Sequence, residues 1–153
     1  MAAIDYQAIA QALAVRFGPA QVTAPSGLAP IRLATEKLPA NLTGVLPATL
    51  VFPPEEPEFR YSAGTRSVIQ FWPVRFYIAS AAEQPRRVTD LYRWRSAIYA
   101  QTEGQVHLGL SAYVTHAVVV SAMTGVLPYA GEDHDGISLT VAVHCWEPLA
   151  PVA

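Results

Sequence analysis

Between Ile137 and Trp146 the chain alternates strictly: Ile137, Leu139, Val141, Val143 and Cys145 are apolar, and Ser138, Thr140, Ala142, His144 and Trp146 fall between them. A period of two is the mark of a strand with one face packed on a core. The stretch before it, Gly131-Glu132-Asp133-His134-Asp135-Gly136, gathers turn formers and charges, which predicts an exposed connection. Upstream, Tyr113–Thr124 is rich in β-branched residues and reads as a strand, followed by a turn at Gly125-Val126-Leu127-Pro128, so the closing strand returns antiparallel to it.

The rest of the chain supplies what this sheet packs against. Asp5 is placed to cap a helix through Y-Q-A-I-A-Q-A-L-A-V-R-F, with Tyr6, Ile9, Leu13 and Phe17 on one side, and Gly18-Pro19 predicts its end through a left-handed cap. Residues 22–57 carry Pro25, Pro30, Pro39, Pro47, Pro53, Pro54 and Pro57, which exclude long internal strands and leave short edge pieces at Ile31–Ala34 and Thr49–Phe52. The run Pro53-Pro54-Glu55-Glu56-Pro57 predicts a stiff, acidic, projecting loop.

Glu58–Ala63 and Thr65–Ala79 read as strands around Gly64. In the second, Val68, Gln70, Trp72, Val74, Phe76 and Ile78 share one face, and Ile69, Phe71, Arg75 and Tyr77 take the other. Both faces are partly apolar, as for a central strand or one covered by a neighbouring subunit. Pro73 within it predicts a bulge or an edge. A second helix starts at Pro85, with Val88, Leu91, Tyr92, Ile98 and Tyr99 on its apolar stripe and Arg86, Arg87, Asp90, Arg93 and Trp94 opposite, Arg95 lying nearer the stripe's edge. The expected fold is a single α+β domain over 1–153, a mainly antiparallel or mixed sheet packed against two helices.

Composition narrows the function classes. Of 153 residues, 52% are hydrophobic and only 14% charged, less charge than an ordinary soluble surface carries, so apolar surface is expected to be covered by a partner. A net charge of −2 gives no global pull toward nucleic acid or anionic membranes. No apolar run approaches the roughly 20 residues of a membrane-spanning helix, and the start of the chain lacks a signal-peptide pattern, which predicts a product made in the cytoplasm. Cys145, the single cysteine, leaves no internal disulfide or multi-thiolate metal site.

Three constellations could carry chemistry. Glu132, Asp133, His134 and Asp135 bring carboxylates and an imidazole together, but the spacing fits no calcium loop and a solvated turn is the simpler reading. His144 and Cys145 point to opposite faces of one strand and cannot form a thiolate–imidazole pair, and His107 and His116 stand alone. Arg86, Arg87, Arg93, Trp94 and Arg95 mix basic and aromatic groups, which suits a protein interface or, less well in a net-acidic chain, nucleic acid. No phosphate loop, nucleophile elbow or dinucleotide fingerprint occurs, so no catalytic residues, metal or cofactor are expected.

Over nearly its whole length, the pattern of the chain resembles the tail-terminator (tail-completion) proteins of long-tailed bacteriophages. The likeness lies in Y-Q-A-I-A-Q-A-L-A-V-R-F, in G-V-L-P-A-T-L-V-F-P from Gly44 to Pro53, and in the ending L-P-Y-A-G-E-D-H-D-G-I-S-L-T-V-A-V-H-C-W-E. The resemblance implies a homohexameric ring in the virion neck that stops polymerisation of the tail tube and meets the head–tail connector or stopper protein. It implies no membrane and no specific nucleic acid, although the ring lumen would pass DNA. Arg86, Arg87, Arg93, Trp94 and Arg95 and the segment Pro53, Pro54, Glu55, Glu56, Pro57 are then the candidate interface residues. Another neck protein, a connector or stopper, is the alternative. A small metal-dependent enzyme and a nucleic-acid-binding module are more remote ones.

Overall fold

The computed structural model describes residues 3–83, 88–104, 106 and 108–149. Helix α1 (Tyr6–Arg16) is followed by strands β1 (Leu33–Thr35), β2 (Ala48–Val51), β3 (Phe59–Ser62) and β4 (Thr65–Ser80), helix α2 (Val88–Tyr99), and the long strands β5 (Val114–Tyr129) and β6 (Glu132–Pro148). The strands form one six-stranded sheet in the order β1-β2-β4-β6-β5, with β3 also paired to β4. Only β1 and β2 run parallel; the other pairings are antiparallel, so this is the mixed sheet with two helices of an α+β domain.

Both helices pack on one face of the sheet. Asp5 accepts a hydrogen bond from the Ala8 amide at 3.0 Å and starts α1, whose Ile9, Leu13 and Ala14 are buried with Phe17 against Val51, Val74 and Phe76. Its end differs from expectation. The capping residue is Phe17, at φ −107°, and Gly18 is not left-handed. Gly18 is needed for close approach instead: a Cβ there would lie 2.8 Å from the Ala14 carbonyl oxygen and 3.2 Å from Ala34 Cβ.

β4 is the central strand, and Val68, Gln70, Trp72, Val74 and Phe76 are its buried, helix-facing residues. Gln70 can be buried because its side-chain oxygen accepts from Trp72 Nε1 at 2.8 Å and its amide nitrogen donates to Glu56 at 3.4 Å. Pro73 makes neither a bulge nor an edge. It pairs with Thr140 in the β6 ladder, and its carbonyl accepts from the Phe52 amide at 2.9 Å. In a strand the nitrogen of a residue points to the same side as its carbonyl, so the missing donor lies on the β2 side, where β2 has just ended, and the β6 ladder loses nothing.

The proline-rich segment is integrated into the fold. β2 is an internal strand with all four residues buried, and Thr49 donates to the Phe17 carbonyl at 3.0 Å. Leu42, Val45 and Leu46 cover part of the second sheet face, over Ala48, Leu50, Tyr77 and Leu127. The expected projecting loop Pro53–Pro57 lies against the sheet: Glu55 and Phe71 exchange backbone hydrogen bonds at 3.0 and 2.9 Å, and Glu56 accepts from the Tyr6 hydroxyl at 2.8 Å.

The closing hairpin is longer than the sequence predicts. β5 runs through Gly125–Pro128 to Tyr129, and the reversal is made by Ala130 (φ 52°) and Gly131 (φ 80°), the two positive φ values of a tight hairpin turn. Residues 132–136 therefore belong to β6. Gly136 sits where three strands crowd, since a Cβ would come within 2.2 Å of the Phe76 carbonyl oxygen.

Candidate interaction surface

The residues singled out in the sequence do not converge. Glu132 and Asp133 are exposed, whereas His134 and Asp135 are buried at 2% and 4% exposure, so the acid-and-histidine stretch is not a solvated turn. His134 meets Tyr77 edge-on at 5.5 Å and faces the cluster under the 42–46 loop, while Asp135 lines a hollow with Leu28, Arg32 and Trp94 on the helix side. The alternation of β6 sends the two neighbours to opposite faces. Among the described residues, no group of three or more His, Cys, Asp or Glu is placed to hold a metal ion.

The arginine helix also changes. Trp94 is 2% exposed and packs with Leu91 and Ile98 in the main core, so it is not a surface anchor. The buried stripe is Leu91, Trp94 and Ile98, and Tyr92, assigned to the apolar side from the sequence, is 58% exposed. The i, i+3, i+4 rule permits either phase, and the indole settles it by its greater apolar area. Arg93 donates to the Ser26 carbonyl and lies 3.8 Å from Asp90, and the Arg95 guanidinium sits 4.9 Å over the Tyr99 ring. Arg86 and Arg87 lie outside the described residues.

What the sequence did not single out is a groove on the second sheet face, beyond the reach of the covering loop. It encloses ≈ 400 Å³ and is lined by Ile69 and Phe71 of β4, His144 and Trp146 of β6, and His116 of β5, with Pro57, Glu58 and Arg60 forming its rim. Glu58 and Arg60 pair with each other at 3.2 Å, which leaves the rim without net charge. The His116 and His144 rings stack 3.9 Å apart at an interplanar angle of 22°. Burial pushes the His144 pKa down, and the neighbouring His116 adds to the effect.

Cys145 lies behind this face in the core, and burial, followed by the charges of Glu56 and Glu147, pushes its thiol up to about 12. Its side chain lies in the core, whereas that of His144, the preceding residue on the strand, lines the groove on the opposite face. At the top of β6, burial alone would raise the Glu147 pKa, but hydrogen bonds from Arg66 and from the Ile4 amide, with the Arg66 charge, hold it below the usual value.

Beside the groove runs the outer edge of β5, where Val120 and Met123 are each 53% exposed and Val126 45%. Compared with known proteins, the chain matches no family model and no curated protein.

Proposed function

We propose that this chain is a structural subunit of a closed protein ring, and that the ring is the tail terminator of a long-tailed bacteriophage, set at the head-proximal end of the tail tube. The observation that carries the assembly reading is the unfinished sheet. Past Tyr77 and Leu127 the cover ends, and Ile69, Phe71, Val118, Thr140, His144 and Trp146 remain only partly buried beside an apolar strand edge. A partner covering this region would account for a surface with so few charges. The tail-terminator role rests on the resemblance of the sequence pattern and on the α+β architecture that it implies.

Native mass across concentration, alone and with tail tubes, tests the reading. A hexamer that binds tube ends and halts their growth is the expected result; a strict monomer that ignores tubes overturns it. A head–tail connector or stopper would give the same ring without capping tubes, and locating the labelled protein in the particle separates the two.

A further inference from the structure

β5 is a 16-residue edge strand without a single Asp, Glu, Lys or Arg. Among the described residues its only strand neighbour is β6. Edge strands expose a row of unmet amides and carbonyls, and folded proteins normally guard them with charges, prolines or short length. On the outer side, Ala117 accepts from the Val106 amide at 2.8 Å, and near the turn the Tyr129 hydroxyl, on a ring that packs over the sheet, donates to the Pro39 carbonyl. Between these points, over residues 118–127, no described backbone group outside β6 meets the strand. The bulge around Val120 is the one guarding device in this span, and Pro128 stands beyond it.

Across the sheet, β3 carries another edge that is open among the described residues. Among the described residues β3 pairs only with β4, all four of its residues are exposed, and Phe59 and Tyr61 stand 41% and 65% exposed. Its Arg60 is matched by Glu58, so it would bring no unpaired charge against a strand that has none to offer.

We infer that a four-residue stretch within residues 118–127 of β5 pairs with β3 of a second copy of this chain, joining the two sheets edge to edge. Such a contact is heterologous, with each subunit using one edge on either side. Repetition makes a ring where its rotation closes, and it then uses the β5 and β3 edges of every copy, while β1 keeps its own outer edge. Phe59 and Tyr61, which share one face of β3, then extend the apolar edge on that face of the joined sheet. The proposal rests on the ring reading, because only a closed head-to-tail array uses both edges of every copy.

Two charged variants test it. Val120→Lys with Met123→Lys blocks the β5 edge, and Phe59→Lys with Tyr61→Lys blocks the β3 edge; all four side chains are exposed, so the fold should survive, as circular dichroism would verify. Each variant alone should give a monomer mass where the parent gives a ring. Mixed, they should stop at a dimer, because each retains one intact edge. In the parent chain the outward-facing amides of the paired stretch within 118–127 should exchange with solvent slower by an order of magnitude or more in the ring than in the monomer at low concentration, a readout that needs no altered chain. A parent oligomer that persists in both variants, with fast-exchanging 118–127 amides, overturns the edge pairing and leaves the ring reading intact. A β5-dependent dimer that tolerates the Phe59 and Tyr61 changes also overturns it, in favour of β5 pairing with itself. A parent that stays monomeric at every concentration overturns both.

Discussion

The imidazoles of His116 and His144 lie stacked across the β5–β6 pair, 3.9 Å between ring centres. Counting straight back from the Ala130-Gly131 turn would set His116 opposite Cys145. The bulge between Val119 and Ser121 slips the register by one residue and brings the two histidines face to face. One extra residue thus decides whether the groove floor carries one imidazole or two.

That contact predicts a stability change with pH. His144 titrates below its ordinary value, through burial and then through His116, so the unfolded chain binds the proton more readily than the folded one. The stabilising contribution is fully present above about pH 6.5, the unperturbed histidine value, and is lost as pH falls through the lower folded value. Thermal midpoints measured from pH 8 to pH 5 should decline in the parent chain and decline less in His144→Gln. Equal declines in both would assign the acid sensitivity to other groups.

Cys145 should behave as a core residue. At 2% exposure, with its thiol pushed up to about 12, it should react negligibly with a disulfide reagent in the native state. In denaturant the chain should yield one reactive thiol per molecule. Rapid native labelling would mean that the β6 end opens readily.

How far the sequence could be read depended on which signals were local. The alternation from Ile137 to Cys145 was enough, because a period of two admits one buried face, and α1 was legible from its cap and stripe. The charged stretch 132–136 was misleading for a physical reason: an Ala-Gly pair makes the tight turn, and His134 and Asp135 are buried only because the distant 42–46 loop and α2 lie over opposite faces of the hairpin. Long-range cover leaves no mark in local composition. The histidine pair was hidden similarly, since a bulge cannot be counted from the sequence, and the Pro53–Pro57 run gave no sign of its bonds to Phe71 and Tyr6.

Trp94 should matter for stability rather than association. Replacing it with alanine removes the largest side chain of the α2 contact and should cost about 3–5 kcal/mol, read from the denaturant midpoint. Tyr92→Ala, on the exposed side of the same helix, should stay within about 0.5 kcal/mol of the parent. The reverse order would restore the helix phase expected from the sequence.

Two strand glycines that pair with each other should respond differently to alanine. Gly125 and Gly136 face one another across β5 and β6, yet a Cβ at Gly125 meets nothing within 4 Å, whereas at Gly136 it meets the Phe76 carbonyl oxygen at 2.2 Å and Leu127 Cδ1 at 2.9 Å. The backbone atom cannot rotate away, so β4 and β6 must separate locally. Gly136→Ala should therefore lower stability by about 1–3 kcal/mol or more, with Gly125→Ala close to neutral. Urea midpoints of the two variants give the comparison directly.

The proline-rich segment can be tested through Glu56. Its carboxylate accepts from the Tyr6 hydroxyl at 2.8 Å and from the Gln70 amide at 3.4 Å, and Gln70 is 0% exposed. Removing the carboxylate leaves that buried amide without its acceptor, a loss of about 1–3 kcal/mol for a group that water cannot reach. Glu55 is exposed and holds β4 through its backbone, which survives a change of side chain. Glu56→Ala should thus shift the urea midpoint down with the slope unchanged, and Glu55→Ala should leave it in place. If the segment stood free of the sheet, both variants would match the parent, and the bonds tying it to α1 and β4 would have to be abandoned.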